Sequence, residues 1–493
     1  MSGGIAQSEG GPLRLLSRDE VYQIHLASLE ILQRVGVMAD SPEAVKILLE
    51  SGATLDRQKS VVRIPENLVQ EAVAKSPRAF TIYARNPQHD VRIEQGVTHF
   101  GPMIGRKYIL DLESGNRRKT TLSDVEALTR LASALEDYTL PHSGVLMPHI
   151  EGIPDPVAHV HAYLATVRNS EKVVKGTARG RREARDCIRM AAVLAGGEEE
   201  LRQKPNMFTT CNVISPLRLG CGMTEGMMEY ARNRLPVDIA SEPQAGATAP
   251  ITLAGLLAQQ NAEILSGITV AQLVCPGTPV FYGTCGSIMD MKRGMIALGS
   301  VETGLINVGH AQLARYYGIP SRGTGGASDA KTLDIQAGYE KAMTLLMAAM
   351  AGINYIWYPG TLDEALTVSL ESILIDHEIC GMVKRALRGI AVDEDTLGVN
   401  LIQSVGPSGS YIGQRHTLLH LNEKEQYFPK ISERRSREDW ESAGSRGLHD
   451  VAKDQVRRIL KEYEPAPLDR TVDQELGRIV KEIEKERMRS SSP

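Results

Sequence analysis

The chain has 493 residues, 42% of them hydrophobic and 24% charged, with a formal net charge of −4. That balance is ordinary for a globular protein and excludes a nucleic-acid binder built on concentrated positive charge. Six scattered cysteines without a CxxC pair exclude a disulfide framework and a thiolate zinc centre and point to a reducing cytoplasm; no uncharged apolar run reaches the ~18 residues of a membrane span.

In chain order, the opening "MSGGIAQSEGGP" lacks the charged and apolar regions of a signal peptide. Ser17 and Glu20 form an S-x-x-E capping box ahead of the helical pattern "VYQIHLASLEILQRV", which Gly36 ends. "SPEAVKILLESGA" predicts a second helix and "VVRIPENLVQEAVAKSP" a short strand and a third. Residues 80–112 alternate and turn often, which predicts strands or a hairpin, with one candidate sheet strand within 97–112.

From about residue 120 a rhythm sets in. Helices open at "TLSDVEALTRLASALE", "PDPVAHVHAYLATVRN", "RREARDCIRMAAVLAG", "TEGMMEYARNR", "LAGLLAQQNAEILSGITVAQLV", "MIALGSVETGLINVGHAQLARYYG" and "IQAGYEKAMTLLMAAMAG". Each leads to a strand: "YTLPHSGVLMP", "KVVKGTA", "NMFTTCNVISP", "PVDIASEP", "PVFYGTCGS", "IPSRGTGG" and "INYIWYPG". Alternation of this kind means parallel βαβ units. Seven such strands and the earlier candidate predict a (β/α)8 TIM barrel within α/β architecture. An open doubly wound sheet is the alternative, and "GTGGAS" lacks the third glycine of its G-x-G-x-x-G fingerprint. The expected division is an N-terminal elaboration over 1–120, the barrel over 121–395, and a loop-rich then helical, charged extension over 396–493.

Barrel chemistry belongs at the C-terminal ends of strands. There "GIPSRGTGGASDAK" brings Arg322, Gly323, Gly325, Gly326 and Asp329 together. The glycines mark either a tight turn or a surface kept low so that a large flat partner can approach. In "PVDIASEP" the apolar parity of Val237 and Ile239 turns Glu242 toward the mouth, unless it forms a structural ion pair. Asn212 tops its own strand. Tyr282 and Thr284 share one side, and Tyr355 and Trp357 share another, with Tyr358 next in line. The whole chain holds only 4% aromatics, so rings on strand tops are either core or a box of π faces for an alkylammonium head. H-E-x-x-H, Walker A and G-x-S-x-G motifs are missing. Of the histidines at 142, 149, 159 and 161, the last two face different ways on a helix, so no metal site is expected. "DHEICG" does not have the D-x-H-x-x-G spacing that offers histidine to a corrinoid cobalt.

Three blocks in order, "LSRDEVYQIHLASLEILQRVGV", "GTGGASDAKTLDIQAGYEKA" and "GSYIGQRHTLLHLNEKEQYFPK", resemble the trimethylamine methyltransferase family over about residues 14–465. The resemblance implies a (β/α)8 barrel that moves a methyl group from an amine to Co(I) of a separate corrinoid protein, with no permanently bound cofactor. Archaeal trimethylamine enzymes of the family carry pyrrolysine in the barrel mouth, expected to align with Thr324–Asp329. Only standard residues stand there, so the chain resembles the non-pyrrolysine branch that includes glycine betaine methyltransferases. The expected partners are a quaternary amine and a cognate corrinoid protein, with a homo-oligomer as assembly. Substrate contacts are expected from Asn212, Glu242, Tyr282, Thr284, Arg322, Asp329, Tyr355, Trp357 and His377, with Arg322, His310 or His377 meeting a betaine carboxylate. Gly323, Gly325 and Gly326 are expected to face the corrinoid. The alternatives are a lyase or aldolase with a Schiff base on Lys175, and a non-catalytic quaternary-amine-binding protein.

Overall fold

The computed structural model describes residues 5–6, 13–58, 60–140, 150–423 and 425–490. Its centre is a curled sheet of seven parallel strands in an α/β fold. These are β1 (Val97–Gly101), β2 (Val174–Lys175), β3 (Met207–Val213), β4 (Val237–Ser241), β5 (Val280–Thr284), β6 (Ser321–Thr324) and β7 (Tyr355–Trp357). The spatial order is β2-β3-β4-β5-β6-β7-β1, with the two-residue strand Ile5–Ala6 antiparallel on the outer edge of β1, so the first of the seven parallel strands in sequence lies beside the last. Gly101 is level with Trp357, and Trp357 with Thr324. On the other edge of β1, Tyr138 pairs with Phe100 in a parallel bridge, and the Thr139 amide donates to the Phe100 carbonyl at 3.0 Å. Tyr138 and Thr139 belong to the predicted strand 138–148; the part of it after residue 140, with His142, and His149 beyond it lie outside the described residues. β1 falls within the segment that the sequence assigns to the N-terminal elaboration.

The helices follow the hydrophobic periods closely. Leu253–Val274 spans the stretch read from sequence and buries residues all round, as a helix does when covered on every side. Leu122–Ala134 begins with a capping box between Thr121 and Asp124, and Arg18–Glu30 with the expected one between Ser17 and Glu20. The helix predicted from Met295 instead starts at Val301, where the Ser300 hydroxyl accepts the Thr303 amide. Met295–Ala297 pairs antiparallel with Ser287–Asp290, because strand pairing satisfies those backbone groups.

Burial explains the layers. Outward residues of the sheet pack under helices, Val237, Ile239 and Tyr282 among them. Inward residues form a separate cluster: Phe208, Phe281, Tyr355 and Trp357, closed at the N-terminal ends of the strands by Phe80 and Ile82 of a hairpin, Ala79–Ile82 with Val91–Glu94. Phe80 meets Phe281 edge-on at 5.0 Å. One end of the lumen is thus plugged, and the strand C-termini are left for chemistry.

The charged extension packs on the same body. Leu448–Glu462 buries Ala452 and Val456 beside helix Leu370–Leu387. Arg470–Ser490 lays Leu476, Ile479, Val480 and Ile483 into the core shared with helices Asp155–Asn169 and Arg181–Ala195. Arg189–Glu482 and Arg168–Asp473, both 2.7 Å, flank that seam. Between these parts, the short helices Glu394–Leu397, Val399–Val405 and Arg415–Asn422 bury no residue.

Candidate functional site

Alternation along the strands stacks three tiers in the lumen. The lowest is aromatic: Phe208, Phe281 and Tyr355 lie 5.9–6.1 Å apart, centroid to centroid. Above it stands a charged tier. Arg322 is fully buried; its Nε donates to Asp238 Oδ2 at 2.8 Å, and its Nη2 lies at ion-pair distance, also 2.8 Å, from the same oxygen. Its Nη1 donates to the Thr284 carbonyl at 2.5 Å, and Thr210 donates to Asp238 Oδ2 at 2.8 Å. Burial works against the guanidinium charge, but Asp238 outweighs it and leaves Arg322 charged. Gly283 makes room for this pair: a Cβ there would stand 2.1 Å from Asp238 Oδ1.

Trp357 roofs the charged tier. The Arg322 guanidinium lies 5.0 Å from its ring centroid and the Lys175 ammonium 4.3 Å. Lys175 is 3% exposed, and its Nζ has no hydrogen-bond partner among the described residues. Burial pushes its pKa far down, and the Arg322 charge adds to the effect.

The top tier is the mouth. Asn212 donates to Glu242 Oε1 at 2.8 Å, and Glu242 is exposed. Tyr358 packs 5.4 Å from Trp357, donates to Cys285 Sγ at 3.2 Å, and is held at φ 118°. A non-glycine residue in that region costs ~1–3 kcal/mol and persists where its surroundings fix it. Arg106 reaches the same place, its guanidinium 5.5 Å from the Tyr358 centroid. The Glu242 charge acts on Arg106, Cys285 and Tyr358.

The structure sorts the candidates read from sequence. Asn212, Glu242, Tyr355 and Trp357 point inward or to the mouth, with Tyr355 low in the aromatic tier. Arg322 is inward but already engaged by Asp238. Tyr282 and Thr284 face the other way: Tyr282 donates to Asn261 at 2.7 Å and stacks on His310, and Thr284 donates to Gln260 at 2.6 Å. The inward residue of that strand is Phe281. His310 bonds the carbonyls of Tyr282 and Arg322, and burial pushes it down to about 3, so it is a neutral structural ring. His377 accepts the Asp137 amide at 3.2 Å behind Tyr138, and burial lowers it to about 4; it does not reach the lumen.

The glycines also serve the wall. A Cβ on Gly323 would stand 2.3 Å from Ile353 Cδ1 and 2.4 Å from Asn307 Oδ1; on Gly325, 2.8 Å from Ile356. Gly326, at φ 83°, donates to Thr344. All three are buried against helix Ile335–Met350 or its neighbours, so they do not form a surface for a macrocycle. Asp329 accepts the amides of Leu298 (2.9 Å) and Gly299 (3.1 Å) and so fastens the hairpin to the glycine loop, and Lys331 pairs with Asp363 and Glu364. Sequence reasoning missed Arg106, which sits in a loop with no strand parity to place it. A separate cluster, Asp395, His416 and His420, brings ligand atoms within 4.8 Å on the C-terminal extension, with His420 also 3.4 Å from Glu423.

The comparisons with known proteins bear on the whole chain. Residues 5–487 match the family described as Trimethylamine methyltransferase (MTTB). The chain is 36% identical over 473 residues to glycine betaine methyltransferase of Desulfitobacterium hafniense (strain Y51), covering 96% of this chain and 97% of that one. It is 36% identical over 497 residues to trimethylamine methyltransferase of Desulfitobacterium hafniense (strain DSM 10664 / DCB-2), covering 98% and 96%. Against trimethylamine methyltransferase of Methanosarcina barkeri (strain Fusaro / DSM 804) it is 34% identical over 495 residues, covering 98% and 97%.

Proposed function

The chain belongs to the trimethylamine methyltransferase family, and on that premise we propose that it takes a methyl group from a quaternary amine of the glycine betaine kind and delivers it to Co(I) of a separate corrinoid protein. The observation that carries this reading is the mouth itself: the Trp357 and Tyr358 rings, 5.4 Å apart, stand at the strand ends with Glu242, whose charge acts on Tyr358. Aromatic faces with one carboxylate attract an alkylammonium without gripping it. That suits the chemistry, because positive charge on nitrogen fades toward the transition state and tight holding would favour the ground state.

A quaternary ammonium leaves as a neutral amine once the C–N electron pair returns to nitrogen, so no acid, base or metal of this chain is needed. The reduced corrinoid would supply the electron pair that accepts the methyl group. "DHEICG" does not hold such a group: Asp376 binds Lys341 at 2.7 Å and His377 binds Asp137. A carrier on a partner protein fits these residues. The chain's own part is to align the N–CH3 bond with the mouth and exclude water.

The reading includes a (β/α)8 barrel, supported by the curl of the seven strands and by the bridge from Tyr138 to Phe100 on the outer edge of β1. It keeps the parts 1–120, 121–395 and 396–493, with β1 lent to the barrel by the first. It also includes a homo-oligomer, supported by Val399, Ile402, Ile412 and Leu418, all more than half exposed on the extension. A cytoplasmic setting accords with six free cysteines; no helix among the described residues is long and apolar enough to cross a membrane.

Incubation with chemically reduced cobalamin and candidate amines tests the function. Loss of Co(I) absorbance that depends on a quaternary amine, with methylated cobalamin as product, is the expected result. Persistence of Co(I) with every quaternary amine removes the reading.

A further inference from the structure

The charged tier does not balance. Arg322 is matched by Asp238. Lys175, 3% exposed, has no carboxylate within ion-pair distance, and its Nζ no hydrogen-bond partner, among the described residues. It stands over Trp357 at 4.3 Å, whereas Arg106 lies over Tyr358 at 5.5 Å, at the mouth, where Tyr358 and the Glu242 charge answer it.

A buried amine left without a partner is expensive, and a fold that retains one against an aromatic face lacks an acceptor there. The other lysines sealed in the molecule show the contrast. Lys172 donates to the carbonyls of Ala132, Leu135 and Tyr138, and Lys341 to Gly326, Thr361 and Asp376. Around Trp357 the free amine of Lys175 lies deep, whereas the carboxylate of Glu242 is at the rim and exposed. A ligand that complements this gradient carries its anion inward and its cation outward.

We propose that Lys175 receives the carboxylate of a zwitterionic quaternary amine, seating it tail-in beneath Trp357 so that the ammonium methyl groups are presented toward Glu242 at the mouth. The inference rests on the methyl-transfer reading above and assigns the group that meets the anionic tail of such an amine. Lys175 acts here as a positioning and specificity residue. The lowered pKa of Lys175 accords with the role, since an arriving carboxylate restores the charged form that burial disfavours.

The test compares glycine betaine, choline and tetramethylammonium as methyl donors to reduced cobalamin, in the full chain and in Lys175→Met and Lys175→Arg. The wild type is expected to show a KM for glycine betaine ~10-fold or more below that for choline, the scale of one charged hydrogen bond. Lys175→Met is expected to raise the glycine betaine KM ~10-fold or more and erase that preference, while Lys175→Arg keeps part of it. Calorimetric binding of glycine betaine and tetramethylammonium to the wild type gives the same comparison without a variant. Equal use of all three donors by the wild type, or an unchanged donor ratio in Lys175→Met, overturns the inference and leaves methyl transfer standing. Amine-independent Co(I) in every case overturns the functional reading itself. Borohydride-trapped attachment of a keto acid to Lys175 overturns the inference in favour of Schiff-base chemistry.

Discussion

Lys341 and Lys175 are both sealed inside the molecule, and the fold treats them in opposite ways. Lys341 stands behind the wall, 1% exposed, with Asp376 at 2.7 Å and two carbonyls completing its three donors. Lys175 stands in the lumen with an aromatic face and no acceptor. The first is a finished structural clamp that ties the glycine loop and the 358–361 turn to helix Leu370–Leu387. The second is incomplete as protein alone, which is what a binding group looks like before its ligand arrives.

The sharpest way to break that comparison is to remove each charge. Lys341→Met leaves Asp376 buried and unpaired and is expected to cost about 3–5 kcal/mol in chemical unfolding. Lys175→Met removes a buried amine that has no acceptor and is expected to leave the midpoint unchanged or raised. Equal losses from the two variants would erase the distinction. The wall is tested next by Gly323→Ala, whose methyl collides with Ile353 and Asn307. It is expected to lose about 1–3 kcal/mol of stability, while the properly folded fraction keeps its donor preference. The lumen side is tested by Trp357→Leu, expected to weaken tetramethylammonium binding by roughly 1 kcal/mol, or about fivefold in Kd by calorimetry.

The smallest effect concerns Asp329. Burial, helped by Glu340, pushes its carboxyl up to about 6. The folded state therefore holds this proton more tightly than the unfolded chain. The resulting stability is fully present below the ordinary carboxylate range and is lost as pH rises through about 6. Against Asp329→Asn, wild-type stability should fall between pH 4 and pH 7 by ~1 kcal/mol or less, because the group is part exposed. A flat difference across that range would show that the two backbone amides it accepts have cancelled the burial.

Much of this was legible in the sequence. The helix–strand rhythm after residue 120 could be read because each strand is a short apolar run bounded by Gly, Pro or Asn. The parity of Val237 and Ile239 turned Glu242 the right way. The same argument failed at 280–284, where Val280, Phe281 and Tyr282 are apolar on both sides; the decision lay with Asn261 and His310 on two separate helices. Lys175 drew notice as a lysine on a strand, but its surroundings did not, since Trp357 and Arg322 join it only through the curl of the sheet. The glycines of 323–326 read as an open surface because sequence shows the missing side chains and not the helix that fills their place.

The last described helix has a consequence for how the protein is made. Leu476, Ile479, Val480 and Ile483 complete a core otherwise built from residues far earlier in the chain. During synthesis, helices Asp155–Asn169 and Arg181–Ala195 wait with that seam uncovered until residues 476–483 have emerged. The nascent chain is therefore most exposed to aggregation late, after the sheet has formed and before this final strip is laid down.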